Sequence, residues 1–177
     1  MMEFRREDSG TVSAMLEPIE VDLLRNVTSQ LLQMLGSVDA DDPAMLAQPA
    51  IRRLLPDAYP NDPEAAEEFR RFTADGLLEG KLANATTVLA ALGDDEPADA
   101  SLDAAAHDPL PVPIVLTEQQ VQSWLRTLTD LRLVLADRLQ IDPHGTPQLD
   151  DEQAHVVNDV YNWLGMMQES LVYAIDA

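Results

Sequence analysis

No cysteine occurs in the 177 residues. That excludes disulfide scaffolds, thiolate metal centres and any thiol redox switch. Lysine is nearly absent too: Lys81 stands alone beside ten arginines. Acids outnumber cations 32 to 11, for a formal net charge of -21. A field of that sign opposes the approach of a duplex, so direct nucleic-acid binding is unfavourable unless arginines gather on one face. Aromatics make up only 5% of the chain, so aliphatic side chains must fill the core that a 46% hydrophobic content allows. No run approaches the ~18 apolar residues of a membrane span. The opening "MMEFRREDSG" has no apolar stretch of the signal-peptide kind. We expect a soluble, cytoplasmic protein with no membrane contact.

What is present points to a mainly α fold: a single helical domain of five to six helices with a short N-terminal β-hairpin. The hairpin is expected over residues 3–16, turning at "EDSG". A first helix is predicted from Pro18 to Gly36, because Leu23, Leu24, Val27, Leu31, Met34 and Leu35 recur at helical spacing. Residues 44–55 read as a short helix broken by Pro49. Asp62 and Pro63 suit the cap and first residue of another helix, with Glu64, Glu67 and Glu68 at its positive end. "TADG" is expected to interrupt that helix, with Thr73 capping a further one that ends near Leu92. Residues 93–113 hold six acids, four prolines and no Lys or Arg, the composition of an acidic flexible linker within the domain. Thr117 and Gln120 form a capping box for a helix with a wide apolar stripe from Val121 to Leu139. A last helix is predicted from about Asp150 to Ile175, antiparallel to its predecessor.

Four blocks of this sequence occur in a recognisable order. They are "RRLLPDAYPNDPEAAEEFRRFT", "KLANATTVLAAL", "WLRTLTDLRLVLADRL" and "VYNWLGMMQESLVYAI". Together with the opening "FRR", they resemble the actinobacterial domain of unknown function 2017 family over nearly the whole chain except the acidic linker. The resemblance implies a mostly helical fold and an actinobacterial source. It implies a regulatory rather than catalytic role, since members are linked to oxidative-stress transcription control. The family's genes often lie near those for a Clp protease adaptor and for cysteine synthesis. Its redox sensing depends on a paired-cysteine motif. That mechanism does not carry over to a chain without cysteine.

Motifs for chemistry are weak. "GLLEGKL" (Gly76 to Leu82) is one residue short of a phosphate loop and has Leu82 where Ser or Thr is required. Glu152 and His155, with Asp151 and Asp159, give one Glu-x-x-His pair where a di-iron bundle needs two. His107 and His144 fall in loops. We therefore expect no catalytic residue, cofactor or metal. Trp124 and Trp163 read as core, with one of them exposed as an interface anchor as the alternative, and Tyr161, Met166 and Met167 allow the same two readings. Arg126 and Asp130, at i,i+4, and Arg132 read as internal struts.

The arginines carry the functional expectation. Arg52-Arg53 and Arg70-Arg71 place four of the eleven cations at the two ends of one proline-studded turn. Residues 52–72 hold four cations and five acids, against seven and twenty-seven in the rest of the chain. An internal arginine–carboxylate network is the first reading. Glu67 and Glu68 stand at i,i+3 and i,i+4 spacing to Arg70 and Arg71, and Asp57 and Asp62 are within reach of Arg52-Arg53. A surface for an acidic protein partner, formed by Arg52, Arg53, Tyr59, Arg70 and Arg71, is the second; direct nucleic-acid contact is the third. The function expected is that of a non-enzymatic regulatory or adaptor protein acting through protein contacts. The alternatives are a DNA-binding regulator with an arginine face and a metal-binding helical protein. A homo-oligomer is left open.

Overall fold

In the computed structural model, residues 3–93, 110–149 and 151–176 are described. Three strands and six helices follow along them: β1 (Arg5–Arg6), β2 (Val12–Leu16), α1 (Pro18–Gly36), α2 (Pro43–Leu46), α3 (Pro49–Leu54), α4 (Pro63–Leu92), β3 (Val112–Leu116), α5 (Glu118–Arg138) and α6 (Glu152–Asp176). The fold is mainly α.

The N-terminal hairpin forms at "EDSG", where Gly10 takes a φ of 83° that L-residues avoid. Its amide donates to Glu7 O at 2.9 Å, and Glu7 N donates to Thr11 O at 2.9 Å. The hairpin acquires a third strand. β3 pairs antiparallel with β2, opposing Val12 to Leu116 and Leu16 to Val112. Pro113, which lacks a backbone donor, is tolerated because β3 is an edge strand in the order β1-β2-β3. Val12, Ala14, Leu16, Ile114 and Leu116 are buried on one face, while Met15 and Val115 point outward. Of the acidic linker expected over residues 93–113, the end at Val112 and Pro113 thus belongs to a strand. Residues 94–109 of it lie outside the described residues.

One helix replaces the two expected across "TADG". α4 runs unbroken through 30 residues. Its capping residue is Asp62, which accepts from Ala65 N at 3.1 Å. Glycine inside a helix costs about 1 kcal/mol relative to alanine. At Gly76 and Gly80 that cost is outweighed by the burial of Ala74, Leu78, Ala85, Val88 and Leu92 on the opposite side. "GLLEGKL" lies wholly inside α4 and forms no loop.

β2, β3, α1, α4, α5 and α6 bury their apolar faces in one core. Trp124 is wholly buried at its centre, with Phe4 edge-on at 6.0 Å between ring centroids. Trp163 is half-buried, and its Nε1 donates to Glu20 Oε1 at 3.3 Å. Glu20 Oε2 accepts from Glu17 N at 2.9 Å, so one carboxylate both caps α1 and holds α6. Arg132 ties α5 to α6: its guanidinium lies 4.8 Å from the centre of the Tyr161 ring and donates to Gln168 Oε1 at 3.0 Å. The strut expected between Arg126 and Asp130 does not form. Asp130 turns inward and accepts from Lys81 Nζ at 2.6 Å, across the α4–α5 interface. Arg126 stays exposed. Among the described residues, no helix is long and apolar enough to cross a membrane.

Candidate functional site

Pro56, Pro60 and Pro63 each fix a φ angle between α3 and α4. The turn they stiffen is closed by Asp62 N donating to Tyr59 O at 3.1 Å. It sets Arg52 of α3 and Arg70 of α4 on two sides of Asp57, with α2 alongside α3. Between them lies a groove of about 550 Å³. Leu46, Pro43, Pro63, Tyr59 and Ala66 give it apolar walls, and Arg52, Arg70 and Arg71 give it cations.

Asp57 organises the cations. Its Oδ2 accepts from Arg52 Nη2 at 3.2 Å and its Oδ1 from Arg70 Nη1, so one carboxylate fixes an arginine from each side of the turn. Tyr59 is held edge-on against Phe69, with ring centroids 5.9 Å apart, and remains 49% exposed. Arg71 also lines the groove. It is exposed and makes no ion pair among the described residues. The three arginines face three carboxylates: Asp41, Asp57 and Glu67. The patch is balanced rather than basic, in a chain of net charge -21.

Four of the five sequence-predicted contact residues therefore meet in one groove: Arg52, Tyr59, Arg70 and Arg71. Arg53 does not. It turns toward α5, where its Nε reaches Asp137 Oδ1 at 3.3 Å and its Nη2 donates to Ile141 O at 3.4 Å. The helical pairs expected from Glu67 and Glu68 to Arg70 and Arg71 are not made. Arg70 is taken by Asp57, and Asp62 serves as a cap instead of a partner for Arg52 or Arg53. Sequence reasoning missed the wall that Pro43 and Leu46 of α2 supply, because nothing in "PAML" signals that it packs beside the turn.

The other candidates separate from this site. Glu152, His155 and Asp159 are exposed at the start of α6. Among the described residues, no group of three metal-ligating side chains stands close enough to hold an ion. His144 lies in the exposed loop before α6, and His107 lies outside the described residues. Asp130 is the buried acid with a displaced titration. Burial raises its pKa above the usual carboxylate range, and the Lys81 ammonium acts in the opposite direction. It is bound within an interhelical pair, away from the arginine groove.

Comparison with known proteins identifies a family and relatives of this chain. The family described as a domain of unknown function (DUF2017) matches residues 1–175. A protein from Mycobacterium leprae, whose name assigns it provisionally as the oxidative stress regulator AosR, is 32% identical over 188 residues, covering 93% of this chain and 82% of the relative. Proteins named oxidative stress regulator AosR from Mycobacterium bovis and Mycobacterium tuberculosis are each 28% identical over 195 residues, covering 95% of this chain and 84% of theirs. No solved structure matches the chain.

Proposed function

The chain belongs to the DUF2017 family, and from that membership we propose that it is a non-enzymatic regulator that works as an adaptor, by contact with another protein at the arginine groove. Relatives named as oxidative stress regulators support the regulatory part of this reading. The observation that carries the contact part is the convergence of Arg52, Tyr59, Arg70 and Arg71 on one groove. Asp57 holds two of the arginines in place, and Arg71 makes no ion pair among the described residues. A planar guanidinium fork takes a carboxylate in bidentate geometry, and a ring such as Tyr59 offers a rigid apolar contact beside it. The occupant is a protein segment that presents carboxylates at short range next to an apolar side chain, since a partner acidic throughout would be repelled by the net charge of -21.

No histidine, serine, threonine, lysine or cysteine lines the groove, and Asp57, one of its three carboxylates, is committed to Arg52 and Arg70. The balance of three arginines against three carboxylates disfavours phosphate backbone as the occupant. The chain itself has no thiol with which to sense oxidants, so in this reading the oxidant signal reaches it through a partner.

Charge reversal at Arg52 and Arg71 tests the proposal. The double variant Arg52→Glu/Arg71→Glu should keep its helicity and lose capture of a protein that the parent chain retains and mass spectrometry identifies. A gel-shift titration at about 0.15 M salt with random and GC-rich duplexes should give no complex at micromolar protein. Unchanged capture by the double variant would overturn the assignment of the groove. A micromolar shift abolished by the substitutions would overturn protein contact in favour of DNA.

A further inference from the structure

A second groove, of about 490 Å³, runs between α4 and α5 and shares no residue with the first. Gly76, Leu77, Gly80 and Asn84 of α4 line one side, and Leu125, Arg126 and Thr129 of α5 the other. The Lys81–Asp130 pair lies between them.

The glycines are the anomaly. Glycine in a helix interior weakens the helix relative to alanine, so it calls for a reason. Gly76 and Gly80 have no positive φ, and a Cβ placed on either would meet nothing within 4 Å. Nothing among the described residues needs their bare backbone. On a helix with about 100° per residue, Phe69, Phe72, Gly76, Gly80 and Ala83 share one stripe, at successive spacings of three, four, four and three. The whole stripe is exposed and carries no charge. Phe72 is 76% exposed and Leu77 47% exposed, in a chain that is otherwise frugal with aromatics. A long helix thus has two apolar faces. One is covered by the core, and the other is open at the point where its backbone can be approached most closely.

The charges beside this stripe specify what covers it. Glu68, Asp75 and Glu79 of α4, at i, i+7 and i+11, follow one flank and are exposed. On the other flank Arg126 of α5 is exposed and makes no ion pair among the described residues. Lys81 is neutralised by Asp130. We propose that the α4–α5 groove is a docking site for an amphipathic helix of another protein, laid over Gly76 and Gly80, with basic residues along the flank facing Glu68, Asp75 and Glu79 and a carboxylate facing Arg126. Helix-in-groove recognition of this kind reads an apolar stripe at helical spacing and uses flanking charge to set orientation. A second copy of this chain fits poorly. Two α4 stripes related by a twofold axis perpendicular to the helices would bring the acidic flanks together, and each chain carries a net charge of -21.

The probe is a synthetic 21-residue helical peptide with leucine and alanine on one stripe, lysine on one flank and glutamate on the other, titrated against the full chain at about 0.15 M salt. It should bind saturably, and Gly80→Leu should weaken it at least tenfold. That substitution leaves the net charge unchanged, so it separates docking from adhesion to an acidic surface. Arg126→Glu should weaken binding severalfold. The variant Gly76→Ala/Gly80→Ala should melt higher than the parent and bind the peptide less tightly, opposite signs that a purely structural role for the glycines cannot give. The proposal is overturned by absence of saturable binding below about 1 mM, by binding that survives Gly80→Leu, or by a lower melting temperature in the double-alanine variant. It is equally overturned if sedimentation equilibrium shows a dimer of the parent chain that Gly80→Leu dissolves, because the occupant is then a second copy.

Discussion

Two clusters in this molecule are built from the same ionic chemistry and differ in how much water reaches them. Lys81 and Asp130 meet across the α4–α5 interface with side chains 20% and 5% exposed. Arg52, Asp57 and Arg70 meet at the proline turn, with Arg52 as much as 62% exposed. In the first cluster solvent reaches the nearly enclosed Asp130 poorly, so its charge depends on Lys81. In the second, water and salt screen the attraction and stand in readily for a lost contact. The only lysine of the chain is thereby drawn into a half-buried interhelical pair, while the arginine pairs, which look like its counterparts in sequence, mostly form a surface.

The largest expected effect breaks the buried pair. Lys81→Met leaves the Asp130 carboxylate enclosed without its cation and should cost about 3 kcal/mol in urea unfolding. The same truncation at the turn, Arg70→Met, should cost under about 1 kcal/mol. Replacing both partners, as Lys81→Met/Asp130→Leu, should recover most of the loss, because no uncompensated charge remains. Equal losses for Lys81→Met and Arg70→Met would erase the distinction.

Titration sharpens it further. Burial raises the pKa of Asp130 above its unfolded value of 3.8. Between the unfolded and folded values the native state binds the proton more tightly, so this group stabilises most below 3.8 and loses that contribution as pH rises through its folded pKa. The stability of the parent chain minus that of Asp130→Asn should therefore decline as pH rises from 3.8 through the folded pKa. Asp57→Asn, compared with the parent in the same way, serves as the reference for the exposed cluster. A rising difference for Asp130 would show that the Lys81 contact outweighs burial.

Legibility followed the range of the interaction. Local signals were readable: Thr117 accepts from Gln120 N at 3.3 Å as the capping box requires, and Asp62 caps α4. The unbroken run of α4 was not readable, because Gly76 is a local breaker and the packing that overrides it comes from other elements. β3 hid in the acidic segment, since Pro113 argues against a strand unless the strand is known to lie at an edge. The same limit applied to the charges. Helical spacing offered Arg126 to Asp130, yet the partner taken was Lys81, 49 residues away. The arginine pairs were visible as composition. That Asp57 would bind one member of each, and that Arg53 would turn toward Asp137, depends on how α3 lies against α5.

Arg53 accordingly sits between the two extremes. Its side chain is 35% exposed and its partner Asp137 26% exposed. Arg53→Met should cost about 1 kcal/mol, with no effect on whatever occupies the groove. Thermal unfolding and partner capture measured on the same variant check both halves. A loss of capture at unchanged stability would move Arg53 from the scaffold to the contact surface.

Arg71→Gln should produce the smallest change in stability and the clearest change in binding. Arg71 is exposed and forms no ion pair among the described residues, so removing its charge should alter unfolding by no more than about 0.5 kcal/mol. The side chain is shorter but remains able to donate a hydrogen bond, so what is lost is reach and the charged, two-pronged fork. If a carboxylate of the partner docks there, the dissociation rate should rise about tenfold, the order expected for one charge-assisted contact. Arg71→Lys should restore only part of the affinity, because an ammonium carries the charge without the planar geometry. Full rescue by lysine would reduce the groove to a general electrostatic patch. No loss in either variant would leave the Asp57-held arginines, Arg52 and Arg70, as the residues that meet the partner.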